Sequence, residues 1–474
     1  MFKNKYLTIY LFGYLFIWVG LTAFFYNSSA VDVDVAENMA WANHLAISYD
    51  KHPGLGQLFL KLISYITFGN ALLAAVTASG ICILIALIYI YKISKLFFTK
   101  EEAILLTMLT TFSMFYILRF FIMYNQNTML LPFWVASIYY FLLIERNNNY
   151  KNWILLSVIT SLGFYAKFEI LLLSAIMFFY FLFNINKDYA KKLIVSGFIF
   201  FTAILPEVIW LVKNDYITIV YIFNSVSTAK NHFNLIVKFL LGQLYNLIPI
   251  VYVLAPILIL FTLLKIKRLF LYQRISFRYF NHPLIITGLY PLFFFWIAQT
   301  IIGEFPAGWL MVIMSLFLPA FYKLFNFKLK HINFKKLVII LLTLQITIFS
   351  IYNGAKYFNS ILIQENIGNS LSIEADNFWE QYNNQPMSYI AGYDPGYIYL
   401  AAFSKSKPIF LRDYTLAPKD TQILIALEGC NDSDIKDIEK AGFEILHHKC
   451  TNIESVNKYK NQKKLISLFI IEKF

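Results

Sequence analysis

Long apolar blocks separated by short polar stretches run through most of the chain. They fall at Tyr6–Tyr26, Ala71–Tyr91, Ala103–Phe121, Thr128–Ile144, Trp153–Ala166, Phe168–Phe183, Leu193–Val212, Tyr245–Leu264, Leu284–Ile302, Trp309–Phe325 and Leu337–Tyr352. An α-helix needs roughly 20 apolar residues to cross a bilayer core, so the pattern predicts an all-α polytopic membrane domain of about eleven spans. That domain covers residues 1–353. Trp153–Phe183 reads as two short passes broken at Lys167, because one long pass would invert every loop downstream. Met1–Tyr26 reads as an uncleaved first helix: its apolar run is long for a signal peptide, and no small-residue cleavage pattern ends it.

Two regions break the pattern. Residues 27–70 form a first outer loop. Within it Val35, Met39, Ala42, Ala46 and Tyr49 recur at steps of four and three, the period of a helix with one apolar stripe. We read an interfacial helix there, with carboxylates at one end and the basic turn Lys51-His52-Pro53-Gly54-Leu55 at the other. A second interfacial helix is expected at Asn234–Leu244. From residue 354 to 474 spans disappear and charge rises, which predicts a small soluble α/β domain. Its strands are expected at Met387–Ala391, Pro408–Leu411, Gln422–Leu427, Phe443–His447 and Leu465–Ile471, with helices at Pro395–Phe403 and Asp432–Ala441.

Composition agrees with a membrane protein. The chain is 59% hydrophobic and 14% charged, against roughly 25% charged in a soluble domain. The formal charge of +13 does not point to nucleic acid. The Lys and Arg cluster in alternate short loops, among them Lys265, Lys267, Arg268, Arg274 and Arg278, as the positive-inside rule predicts for cytoplasmic loops. Lys3 and Lys5 put the N-terminus inside. An odd number of spans then leaves the C-terminal domain outside, where a Cys430–Cys450 disulfide is chemically reasonable.

The outer side then gathers the unusual polar residues, which at membrane depth mark a functional cavity. Asp34 is the candidate catalytic carboxylate, with Asp32 as its rival; the structural alternative is a helix cap or first-turn acid. Lys51, His52, Lys167 and Arg119 are candidates for holding a donor phosphate. The structural alternative for Lys51 and His52 is a turn that anchors the helix, and for Lys167 a surface ion pair with Glu169. Asp32, Glu37, Glu169, Lys213 and Glu304 are candidate substrate contacts. There is no P-loop, HExxH, CxxC or GxSxG pattern. The histidines are scattered, so neither a metal nor a cofactor is expected. A carboxylate beside a basic turn suits group transfer from a lipid phosphate: the acid orients or deprotonates the acceptor, and the cations stabilise the departing phosphate.

The order of first span, acidic motif, amphipathic helix and basic Pro turn resembles the polyprenyl-phosphate-dependent glycosyltransferases of the GT-C class. More narrowly, it resembles the bacterial branch related to protein O-mannosyltransferases and the lipid A aminoarabinose transferase. The matching residues are Asp34, Trp41, His44-Leu45-Ala46 and His52-Pro53-Gly54-Leu55. Trp153–Leu172, with Gly163 and Lys167, and Glu304–Pro306 match as well. The chain departs from the family at Val35, Gly54 and Phe305, where the family often has Glu, Pro and Trp. The resemblance implies an inverting glycosyltransferase with an undecaprenyl phosphate-linked donor. The acceptor would be lipid A or lipopolysaccharide, or a protein hydroxyl, at the periplasmic face of the inner membrane. A flippase or transporter of a lipid-linked sugar is the reading from another class.

Overall fold

The computed structural model describes residues 5–25, 31–117, 119–224, 237, 241, 280–302, 309–325, 332–359, 363–392, 396–454 and 463–473. Of the expected helix at Asn234–Leu244 only Val237 and Leu241 are described, both helical and exposed; the span at Tyr245–Leu264 and the basic loop after it lie outside the described residues. The chain divides into two compact units. The first comprises Met1–Leu21, Ala46–Gly56 and Ser79–Phe349; the second comprises Thr22–Leu45, Gln57–Ala78 and Ser350–Phe474.

Helices come first. In chain order they are α1 (Lys5–Phe25, with a π turn at Phe16–Leu21), α2 (Val33–Asn43), α3 (Leu55–Ile66), α4 (Ala71–Phe97), α5 (Lys100–Thr110), α6 (Gln126–Arg146), α7 (Tyr150–Ala166), α8 (Ile170–Phe183), α9 (Lys187–Lys213), α10 (Ile217–Asn224), α11 (Pro283–Ile302), α12 (Leu310–Leu324) and α13 (Phe334–Asn359). Among the described residues five helical stretches are long and apolar enough to cross a membrane: α1, α4, α6, α9 and Phe334–Gly354 of α13. The shorter helices α3, α8, α11 and α12 are apolar too.

The expected span Ala103–Phe121 is not one helix. It stops at Thr110, then passes through a 3₁₀ turn at Met114–Tyr116 and a short turn at Arg119–Ile122. The local cause is a run of hydroxyls that turn back on the backbone: Thr107 donates to Ala103 O at 2.7 Å and Thr110 to Leu106 O at 2.8 Å. Such side chains compete with the helical ladder. Thr111 is then captured by the buried Tyr10 hydroxyl at 2.6 Å, and Gln345 Nε2 donates to Thr111 Oγ1 at 3.1 Å. Trp18 Nε1 donates to Gln345 Oε1 at 2.8 Å, which ties α1 to α13 within the first unit.

The break at Lys167 occurs as expected, between α7 and α8. Lys167 is extended and its N–H closes the helix onto Gly163 O. A Cβ at Gly163 would sit 3.0 Å from Ile170 Cγ1, so the glycine lets the two helices meet closely.

In the second unit, α14 (Ile363–Glu380) precedes β1 (Tyr389–Gly392), α15 (Gly396–Phe403), β2 (Ile409–Phe410), β3 (Gln422–Glu428), α16 (Asp432–Lys440), β4 (Phe443–Glu454) and β5 (Lys463–Lys473). The five strands form one sheet in the order β2-β1-β3-β5-β4. β1 is parallel to β2 and β3, and β5 is antiparallel to β3 and β4. Successive side chains in a strand point to opposite faces. Ile423, Ile425, Phe469 and Ile471 therefore share one face, packed with Ile438 of α16 and Phe443. Leu424, Ala426, Leu468 and Ile470 are equally buried on the other. Both faces are covered, which is why these strands read as continuous apolar runs. Cys430 and Cys450 are joined by a disulfide, with Cα atoms 6.0 Å apart.

Candidate active site

The acidic motif lies in the second unit. Asp32 is buried and caps α2, its carboxylate accepting the Asp34 N–H at 3.2 Å. Capping therefore falls to Asp32. Asp34 stands in the first helical turn, partly buried, and the Asn38 amide donates to its backbone carbonyl at 2.7 Å.

The helix ends at Asn43, with the His44 N–H on Trp41 O. The apolar stripe expected to run on to Ala46 and Tyr49 thus extends past the helix. It stops because the chain is taken up by other partners: Asn43 Nδ2 donates to Ala401 O at 3.4 Å, and His44 Nε2 bonds Lys407 O at 2.8 Å. Burial is also wider than one stripe. Val35, Ala36, Glu37, Asn38, Ala40, Trp41 and Ala42 are all covered. α15 and β2 of the same unit supply that cover, so α2 here is a packed protein helix rather than a bare interfacial one.

Glu37, a candidate substrate contact, accepts a hydrogen bond on Oε1 from Arg412 Nη2 at 2.7 Å. The Arg412 guanidinium lies 5.7 Å from the Phe410 ring centre, and Phe410 meets Trp41 at 5.9 Å and Tyr397 at 5.7 Å. Arg412 was not legible as a site residue: it stands 375 positions from Glu37, and nothing in the sequence pairs the two.

The basic turn lies in the first unit and is closely folded. Ser48 bridges Pro53, the Tyr49 N–H donates to His52 O at 2.9 Å, and the Gly54 N–H donates to Ile47 O at 2.8 Å. A Cβ at residue 54 would lie 2.3 Å from Ala46 O. Only glycine fits, and a proline there would also lose the Ile47 bond. Thr218 of α10 donates to Tyr49 O at 2.8 Å, and the buried Tyr124 hydroxyl donates to Gly56 O at 2.9 Å. Burial pushes the Tyr49 phenol above its usual range, although it accepts the Ala46 N–H. Lys51 Nζ stands 5.4 Å from the Tyr221 ring centre and the His52 ring meets the same ring edge-on at 6.1 Å. The two side chains thus share one aromatic wall.

Lys167 is buried. Its Nζ donates to Asn127 Oδ1 at 2.6 Å and to Glu169 Oε2 at 2.7 Å, and lies 4.5 Å from the Trp309 ring centre. Asn127 opens α6, capped by Asn125. The Lys167–Glu169 pair is thus an internal joint of the first unit and not a surface ion pair. Lys213 is exposed in the last turn of α9. Arg119 begins the short turn after the break in α5. Glu304 lies outside the described residues. Glu207 of α9 is fully buried, and the Ser48 hydroxyl beside it donates instead to His52 O at 3.3 Å. Among the described residues no three His, Cys, Asp or Glu side chains come together as metal ligands.

Residues 51–210 match the family model described as dolichyl-phosphate-mannose-protein mannosyltransferase. No curated protein gives a significant match. The fold is similar to the crystal structure of ArnT from Cupriavidus metallidurans bound to undecaprenyl phosphate: TM-score 0.62, 8% identity, covering 97% of this chain and 97% of that one. The apo state of the same protein aligns with TM-score 0.59 at 8% identity, over 99% of this chain and 98% of that one. The family model covers residues 51–210 of the 474, and at 8% identity the structural likeness is one of fold.

Proposed function

We propose that the protein transfers a sugar from a polyprenyl phosphate, in a bacterium undecaprenyl phosphate, to an outward-facing acceptor. The observation that carries this reading is the family match, which begins at Lys51 and so takes in the basic turn. The likeness to a structure holding undecaprenyl phosphate gives it further support.

In this reading Lys51 and His52 hold the donor phosphate, their side chains set against Tyr221 and their backbone fixed by Thr218 and Gly54. An acceptor oxygen attacks the anomeric carbon, and the bond from that carbon to the phosphate oxygen breaks with inversion. The acceptor proton passes to Asp34, and polyprenyl phosphate departs with the electron pair. The acceptor that best fits an outward-facing membrane enzyme is a glycolipid such as lipid A or lipopolysaccharide; a protein hydroxyl is the alternative. The active site and the C-terminal unit face the periplasm, and the chain spans the inner membrane about eleven times.

Replacing Asp34 by Asn should lower turnover by roughly 10²–10⁴-fold, the usual yield of a positioned base, while the protein still elutes as a folded species. The measurement is mass spectrometry of product formed from a purified lipid-linked sugar and acceptor. An unchanged rate would remove Asp34 from the site. Transport of the donor with no glycosylated product would make the protein a flippase instead.

A further inference from the structure

We infer that the C-terminal fold is the mount of the acidic helix, and that Arg412 is the positioning residue through which it sets Asp34. The inference rests on the reading of Asp34 as the acid that receives the acceptor proton.

α2 is held at both ends and in the middle by the same fold. Before its first turn, Val31 O accepts the buried Tyr399 hydroxyl at 3.2 Å. At its last turn, Asn43 and His44 bond the carbonyls of Ala401 and Lys407. Those contacts fix the helix ends but leave its rotation to the side chains between them. Within that stretch Glu37 pairs with Arg412 at 2.7 Å.

Glu37 stands three positions after Asp34. On a helix of 3.6 residues per turn the two share one side of the cylinder. A rotation that breaks the Glu37 bond therefore swings Asp34 with it.

The environment of Arg412 suits a fixed strut. Glu37 is nearly covered, so the bond is charge-assisted and shielded from water on the acid side. The guanidinium rests against Phe410, itself wedged between Trp41 and Tyr397, and Nη1 donates to the Tyr397 hydroxyl at 3.4 Å. The nearest acid in sequence, Asp413, is occupied elsewhere: it accepts the Thr415 hydroxyl at 2.6 Å and the Thr415 N–H at 2.8 Å.

The test is a double-mutant cycle in the full-length protein, using Arg412→Ala, Glu37→Gln and both together. Each single variant should lose roughly 10–100-fold in kcat, the usual cost of misplacing a reacting group by about an ångström, with KM for the lipid-linked sugar unchanged. The double variant should be no slower than the worse single one. Losses that multiply, or a raised KM with kcat kept, would mean that Arg412 touches substrate directly and would overturn the proposal. Hydrogen exchange supplies a second readout that needs no activity. The amides of Val33–Asn43 should exchange faster in Arg412→Ala than in the parent, and unchanged protection there would also overturn it. An active Asp34→Asn enzyme would sink the reading of the acid alone, with the exchange result still deciding whether Arg412 holds the helix.

Discussion

At the scale of single residues, the buried charges divide by whether they are paired. Lys167 is held by a carboxylate, an amide oxygen and an aromatic face, among others. Removing one half of a buried pair leaves an uncompensated charge, which costs about 3–5 kcal/mol. Lys167→Met should therefore lower the thermal midpoint in detergent sharply. Adding Glu169→Met should recover most of that loss, because an apolar pair of similar volume carries no desolvation cost. If the double variant melts no higher than the single, the pair is not what the Lys167 substitution breaks.

Glu207 is the opposite case. Neither of its carboxylate oxygens has a hydrogen-bond partner among the described residues. A buried acceptor left unmade costs about 1–3 kcal/mol, and more when charged. Glu207→Leu should raise the melting temperature, and a fall would show that the carboxylate holds something in place.

At the scale of elements, what the sequence made legible was whatever rests on local pattern. α7 and α8 and their break at Lys167 follow from apolar length and one extended, polar residue. The strands of the C-terminal fold are legible because two covered faces leave apolar runs, and the turns between them carry polar and glycine residues. The places that were not legible are governed by partners distant in the chain. α5 stops at Thr110 because Tyr10 and Gln345 claim Thr111. α2 stops at Asn43 because Ala401 and Lys407 claim the residues that would extend it. For the candidate site, residue types, local motifs and the Lys167–Glu169 pairing were readable, but the Glu37–Arg412 and Lys167–Asn127 contacts join residues far apart in the chain and were not.

The cysteines belong to this scale as well. Residues 430 and 450 lie 20 positions apart and fasten the start of the α16 connection to β4. Closing such a loop contributes about 3 kcal/mol by the chain-entropy relation. Protein unfolded without reductant should show one reactive thiol, from Cys82, and Cys430→Ser with Cys450→Ser should melt earlier. Three reactive thiols would refute the bond.

At the scale of the whole molecule, the orientation proposed here follows from the basic loops. A reporter enzyme that works only outside the cytoplasm should be active when fused after residue 474. One that works only inside should be active in the loop after Arg146. The reverse result would invert the topology and move the C-terminal unit to the cytoplasm.

The second unit has one more consequence, for biogenesis. Its acidic helix is made well before the fold that holds it: Val31 finds its Tyr399 partner 368 positions later. The fold that covers it is made only after the helices from α3 to α13. Closing so long a loop is slow compared with local pairing. A nascent chain that stalls before β2 therefore carries the acid but not its mount. If Asp34 receives the acceptor proton and Arg412 sets it, such a product is inert.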